Sequence, residues 1–493
     1  MNNLLILPLF IPLATAIILL IFRQRRLQKV INLIGSLFLF LISLIVLKEV
    51  YFEGIQVLRL GTWPPPFAIT FAVDMISALM LSVSGFVAFN ISIYSIASMD
   101  EERLKFGFYP LLNMLLMGVN GAFLTADLFN LYVWFEVMLM SSFVLMALGG
   151  QRQQIEGAVK YLTLNFIASI IFLSATGIIY GKTGTLNMAD LAYRLGNDFQ
   201  TELIRTSAVL LLIAFGIKAA VFPLYFWLPA SYHTPPVAVS AVFGGLLTKV
   251  GVYALIRTFT LIFRMDIGFI QPILYVIAGL TMVSGVLGAA SQFNFRRILS
   301  FHIISQIGYM ILGLAIYTPL AIAGTVFYIF HHIIVKTNLF LVSGIVRHIQ
   351  GSEQLKDLGG LYRQYPLLAL LFLIPAFSLG GIPPLSGFFA KFIVIKSAMF
   401  SEDYLMVLIA LIVGVLTLYS MTKIWSEVFW KKEKSPLLSR PLIPFSMWIP
   451  VILMALATIG IGLFAGTLVQ LSEIAAEQLM NPSHYIEAVL WEK

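Results

Sequence analysis

Cysteine is absent from all 493 residues. Disulfide scaffolds, thiolate nucleophiles, cysteine-ligated zinc and cysteine-held iron–sulfur clusters are therefore excluded within this chain, and cysteine usage says nothing about its redox compartment. Charge is nearly as scarce. Only 11% of residues are Asp, Glu, Lys or Arg, against about 25% in a soluble domain. With 60% hydrophobic residues and a mean hydropathy of +0.95, the chain lacks the polar surface that water requires, so lipid must be its main solvent. Acidic residues are the rarer sign, 23 against 31 Lys and Arg. In a soluble protein the resulting +8 would suggest a nucleic-acid partner. Here the charges fall mostly in short loops between apolar runs, so membrane topology explains them and no nucleic acid is expected.

A membrane-spanning helix needs about 20 mostly apolar residues. Runs of that kind predict an all-α polytopic membrane protein with about fourteen spans, near 3–22, 29–50, 71–98, 107–126, 128–149, 157–181, 203–229, 236–260, 268–291, 297–317, 319–346, 365–400, 403–430 and 442–471. No small-residue cleavage site separates the first run from the basic stretch Arg23–Lys29, which argues for a retained helix. Segment 51–70, carrying Gly61 and the run Trp63 to Pro66, reads as an exterior loop or hairpin. Segment 182–202, with Gly184, Asn187, Asp190, Arg194 and Asp198, reads as a short exterior helix with its linkers.

Orientation follows from the basic residues. With the N-terminus outside, 17 of them fall on the cytoplasmic side, from Arg23, Arg25, Arg26 and Lys29 to Lys431, Lys432, Lys434 and Arg440, against 8 outside, Lys493 among them. Positive charge favours the cytoplasmic face, so both termini are expected outside, where the acidic tail of Glu473, Glu477, Glu487 and Glu492 also fits.

A small ionisable set remains deep within the apolar runs: Glu136, Lys218, Lys249, Lys336 and Lys391, with His332 alongside. Each charge at the bilayer centre costs about 2.5–3.5 kcal/mol on insertion scales, so buried charges default to functional roles. Structural ion pairing explains them poorly, because four lysines face one evident carboxylate. Asp127 reads as a helix cap. Lys218 precedes Pro223 by a little over one turn, and Lys391 follows the breaker cluster Pro375, Gly380, Gly381, Pro383 and Pro384. Proline removes an amide donor and clashes with the preceding turn, so both spans should break there. Broken helices at corresponding places in two halves suggest an internal repeat with ion sites near midplane. Lys249 sits among Gly244, Gly245 and Gly251, which permit close helix approach. His332 and Lys336, at i and i+4, share one helix face, whereas His331 is turned away and is a weaker candidate. His302, Ser305 and Gln306 could link the two halves, although His302 could equally be interfacial. A zinc site at His331 and His332 lacks a nearby acid, and no metal or cofactor is expected.

The motifs Trp134-Phe-Glu136, Gly216-Ile-Lys218, Pro235-Pro-Val-Ala-Val-Ser240, Leu247-Thr-Lys-Val-Gly251, His331 to Lys336 and Gly381-Ile-Pro-Pro-Leu-Ser-Gly-Phe-Phe-Ala-Lys391 occur in this order over most of the chain. Taken together, they resemble the antiporter-like family shared by respiratory complex I and the Mrp-type multisubunit cation/proton antiporters. The resemblance implies two inverted five-helix repeats. It divides the chain into N-terminal helices at 1–106, a first repeat at 107–260, a second at 261–431 and a last helix with a short tail at 432–493. It also implies a hydrated polar axis in which Glu136 pairs with Lys218, Lys249 links, His332 and Lys336 relay, and Lys391 terminates the path. Lys391 stands where the middle complex I relative carries glutamate, and Tyr328 replaces a second relay histidine of some relatives.

The function implied is a proton-translocating subunit exporting Na+ in exchange for H+, partnered by other antiporter subunits in a bacterial cell membrane. A proton-pumping subunit of a redox-driven complex I-type enzyme is the alternative. A membrane enzyme acting on lipid or isoprenoid would need a carboxylate cluster at a loop, and none stands out. A pure scaffold predicts that substituting Glu136 and Lys218 spares transport.

Overall fold

The computed structural model describes residues 2–61, 63, 66–197, 202–433 and 441–491. Pro64, Pro65, Asp198, Lys434, Arg440, Glu492 and Lys493, invoked above, lie outside the described residues. Within them the chain is helical almost throughout, apart from one two-stranded hairpin. Eleven helices among the described residues are long and apolar enough to cross a membrane, from Leu4–Ile21 to Phe445–Leu463, and two shorter apolar helices, Phe108–Leu124 and Pro366–Gly380, accompany them.

Burial divides these helices into two groups. Val237–Ile262, Phe295–Ile316, Pro319–Gln350 and Met75–Ser98 are enclosed almost completely by other helices. Leu4–Ile21, Arg25–Glu53 and Tyr404–Trp430 leave apolar side chains such as Leu20, Phe38 and Val415 exposed. In lipid both groups are satisfied: an apolar face needs no protein cover, and the α-helix pairs its own backbone groups. Side-chain caps set several starts. Asp74 accepts from the Ser77 amide at 3.1 Å, Asn294 from that of Arg297 at 3.0 Å and Thr318 from that of Ala321 at 3.3 Å. Asp127 is the expected cap, accepting from the Asn130 amide at 2.7 Å.

Two boundaries differ from the sequence expectation, at 71–73 and at 463–465, while the two expected breaks are present. Residues 71–73 are not helical. They belong to β2 (Thr70–Val73), which pairs antiparallel with β1 (Gln56–Arg59) and closes the hairpin expected at 51–70. Run 442–471 ends its helix at Leu463, and a separate helix, Ala465–Met480, follows. Hydropathy does not detect this corner because both sides are apolar. Runs 203–229 and 365–400 are each two helices, Glu202–Ala219 with Trp227–Ser231 and Pro366–Gly380 with Ser386–Phe400. The expected short helix near 182–202 is Met188–Asn197, whose Leu191, Ala192 and Leu195 are buried.

Candidate functional site

The first break follows Lys218 immediately. Glu202–Ala219 ends with Ala220 at a positive φ of 62°, and Phe222–Pro223 is a cis bond. Side chains satisfy the backbone groups released there. The Trp227 indole donates to the Ile217 carbonyl at 3.0 Å, and the Phe222 amide donates to Thr281 Oγ1 at 2.9 Å. Lys218 Nζ is buried, donates to Ser169 Oγ at 3.3 Å and lies 4.8 Å from the centre of the Phe135 ring. Glu136, the next residue after Phe135, is within electrostatic range of Lys218, but the two make no ion pair within 4.0 Å. Its Oε1 is buried without a partner among the described residues. Deep along its helix, Glu136 is only half-buried, because it shares a face with the exposed Phe129, Val133 and Met140.

Glycine brings the next helix against this break. A Cβ at Gly251 would sit 2.8 Å from the Lys218 carbonyl carbon, so a larger residue would force the helices apart. Two turns of π-helix, Phe243–Leu247 and Thr258–Ile262, flank the α-helical stretch Thr248–Arg257 that carries Lys249. Such bulges re-aim side chains and are frequent at functional sites. Lys249 Nζ donates to the Gly244 carbonyl inside the first bulge. Gly244 packs against the Phe340 ring and Gly245 against Thr337, seating the bulge on the Pro319–Gln350 helix. Lys249 thereby comes within electrostatic range of Lys336 and His332.

Lys336 Nζ donates to the Leu299 carbonyl at 3.0 Å. Among the described residues, both ring nitrogens of His332 are buried without a protein partner, as are both of His302, together with Ser305 Oγ and Gln306 Nε2. The interfacial reading of His302 is thus excluded, since its side chain is fully enclosed. Buried polar groups without protein partners are satisfied by internal water, which makes this the part of the core suited to hydration. Tyr328 donates to Gln306 Oε1 at 2.5 Å, so the residue in the place of a second histidine belongs to the same polar cluster.

At the second break Gly381 has φ of 91° and Pro383–Pro384 is cis. Lys391 Nζ donates to the Gly380 carbonyl at 3.2 Å and lies 5.2 Å from the centre of the Tyr309 ring. It borders a crevice of about 360 Å³ walled by Gly380, Gly381, Phe392, Leu411, Gly414 and Leu418. His331 Nδ1 pairs with Ser386 Oγ at 2.8 Å. The sequence reading missed Ser169, Tyr309, Ser378 and Ser386, because serine and tyrosine in apolar helices carry no distinguishing pattern. It also passed over Lys423, which donates to the Ala290 and Gln292 carbonyls at 2.7 Å and closes the end of the Ile267–Ser291 helix. Among the described residues no three His, Cys, Asp or Glu side chains converge on a metal position.

His332 lies within electrostatic range of Lys249, Lys336 and His302, and His302 within range of Lys391, while Glu136 and Lys218 lie beside the first break. The family model described as "NADH:quinone oxidoreductase/Mrp antiporter, TM" matches residues 125–417, which hold every one of these side chains. The chain belongs to this family. It is 48% identical to the D-type subunit of the Na(+)/H(+) antiporter of Alkalihalophilus pseudofirmus and 39% identical to that of Bacillus subtilis, each alignment covering all of both chains. Its fold also matches a chain in the structure of the Mrp complex from Dietzia sp. DQ12-45-1b, with a TM-score of 0.93 and 32% identity over 99% of this chain and 100% of that one.

Proposed function

We propose that the chain is the D-type, proton-translocating subunit of a multisubunit cation/proton antiporter that exports Na+ in exchange for H+. The observation that carries the reading is the row of ionisable groups that runs from the half-buried Glu136 through the buried Lys218, Lys249, Lys336 and His332 to Lys391, in a chain that aligns end to end with D subunits of Na(+)/H(+) antiporters. Protons would enter at Glu136 and Lys218, pass the Lys249, His332 and Lys336 cluster and leave through Lys391. Inward movement of one proton supplies about 2.3 kcal/mol per 100 mV of inside-negative potential, plus any pH gradient, which is sufficient to drive coupled cation export. In this reading the chain is a transporter subunit and not an enzyme. It sits in the cell membrane with both termini outside and works with the other subunits of its complex.

Fourteen spans are obtained when Phe108–Leu124 and the two broken helices are added to the eleven long ones. The two breaks, near residues 220 and 381, then fall within the proposed repeats 107–260 and 261–431. A second reading, a proton-pumping subunit of a redox-driven enzyme, is kept because the family description names both. The test is sodium-dependent proton movement in vesicles carrying the complete complex, followed with a pH-sensitive dye. Normal antiport by assembled complexes with Glu136→Ala would refute the assignment, and copurifying quinone or iron–sulfur subunits would favour the second reading.

A further inference from the structure

The two adjacent histidines of the Pro319–Gln350 helix have opposite surroundings. His332 has both nitrogens unpartnered, whereas His331, equally buried, is committed to Ser386 through Nδ1 at 2.8 Å. The bond is the first of a short series. Ser386 Oγ lies 3.0 Å from Ser378 Oγ, which in turn accepts from the Gly387 amide at 3.0 Å. Ser378 belongs to the helix that ends at Gly380, and Ser386 opens the helix that carries Lys391. The series therefore ties the two sides of the second break together, and it supplies a partner to one of the amides that a helix start leaves unpaired. Space enforces the arrangement. A Cβ at Gly387 would stand 2.9 Å from His331 Cε1, so the imidazole is wedged against the backbone of the break. Two residues beyond Ser378, the Gly380 carbonyl receives Lys391 Nζ.

We propose that His331 is a positioning residue for Lys391: through Ser386 and Ser378 it fixes the two helix ends so that the lysine meets the Gly380 carbonyl at the head of its crevice. This rests on the reading of Lys391 as the terminal lysine of the path. His331 carries no proton in this role, which belongs to the unpartnered His332.

The test uses complete complexes in vesicles, compared at equal abundance. His331→Ala and Ser386→Ala each remove the same hydrogen bond and should lower the maximal antiport rate about tenfold without changing the KM for sodium. The double variant should be no slower than the slower single one, because both act through one link. His331→Asn should restore at least half of the rate, since its amide reaches the place of Nδ1, whereas His331→Gln, whose amide falls near Nε2, should not. An Asn variant as inactive as Ala means that the imidazole itself passes the proton and overturns the positioning role, as does a normal rate in Ser386→Ala. Lys391→Ala is measured in parallel. A normal rate there removes Lys391 from the path, whereas its loss beside a normal His331→Ala overturns the positioning role alone. Should His331→Ala fail to assemble, the smaller Ser386→Ala change still decides the outcome.

Discussion

The buried pair Asp74–Arg257 gives the most quantitative prediction, because its parts can be separated. Arg257 Nη2 stands 2.7 Å from Asp74 Oδ1, with both side chains almost fully enclosed. Asp74 also caps the Met75–Ser98 helix, and Arg257 lies over the ring of Tyr485 in the C-terminal helix Ser483–Leu490 at 5.0 Å. At an effective dielectric near 20, the Coulomb attraction at this distance is about 6 kcal/mol, much of it offset by desolvation. Removing one partner strands the other charge and should destabilise the fold by about 3–5 kcal/mol. Asp74→Asn keeps the cap and loses only the pair. Asp74→Ala loses the cap as well, about 1 kcal/mol more. In detergent the apparent melting temperature, followed by size-exclusion chromatography after heating, should fall by roughly 3–5 °C for Asn and further for Ala. Replacing both partners with apolar residues, Asp74→Leu with Arg257→Met, should recover much of the loss, because no buried charge is left alone. Transport per assembled complex should change little in all of them. A melting point in Asp74→Ala within a degree or two of the parent would refute the reasoning. So would a double variant as unstable as the two single losses combined.

Transport variants test the axis directly. Glu136→Ala and Lys218→Ala should each abolish sodium-dependent proton movement with assembly intact, and Glu136→Asp should retain more activity than Glu136→Ala; equal activity in the Asp and Ala forms would argue against a role for the carboxylate. Lys391→Ala should stop turnover, and Lys391→Arg should impair it too, because arginine keeps its proton; full activity with arginine would leave Lys391 as an electrostatic gate outside the relay. At Gly251, where a Cβ would press on the backbone beside Lys218, Gly251→Leu should lower both transport and complex yield, and normal levels of both would show that the two helices do not pack there. In the cysteine-free chain, single cysteines near Arg25 or Lys432 should react with an impermeant maleimide only from the cytoplasmic side, and one near Glu487 only from outside. Labelling of the positions near Arg25 and Lys432 from the same side as the one near Glu487 would refute the orientation.

Solvent, element type and the candidate residues were legible from the chain alone, because each depends on local composition. Twenty apolar residues in a row can satisfy their backbone in lipid only as a helix, and a lysine within such a row stands out against it. Proline and glycine spacing located both breaks, since their effects act within one turn. Other features needed the fold. Asp127 could be read as a cap because its partner, the Asn130 amide, is three residues away, but the Asp74–Arg257 pair joins residues 183 positions apart. Position along a span suggested that Glu136 was deep, whereas only helix packing determines which face is covered, and it leaves this carboxylate half-buried. The same holds for the two histidines. Helical geometry put them about 100° apart, but only the packing of Ser386–Phe400 against Pro319–Gln350 gave His331 a serine hydroxyl and left His332 without a protein partner. Hydropathy marks what cannot lie in water. Which buried groups meet is decided by contacts between distant helices, and these depend on shape complementarity that no short stretch of sequence contains.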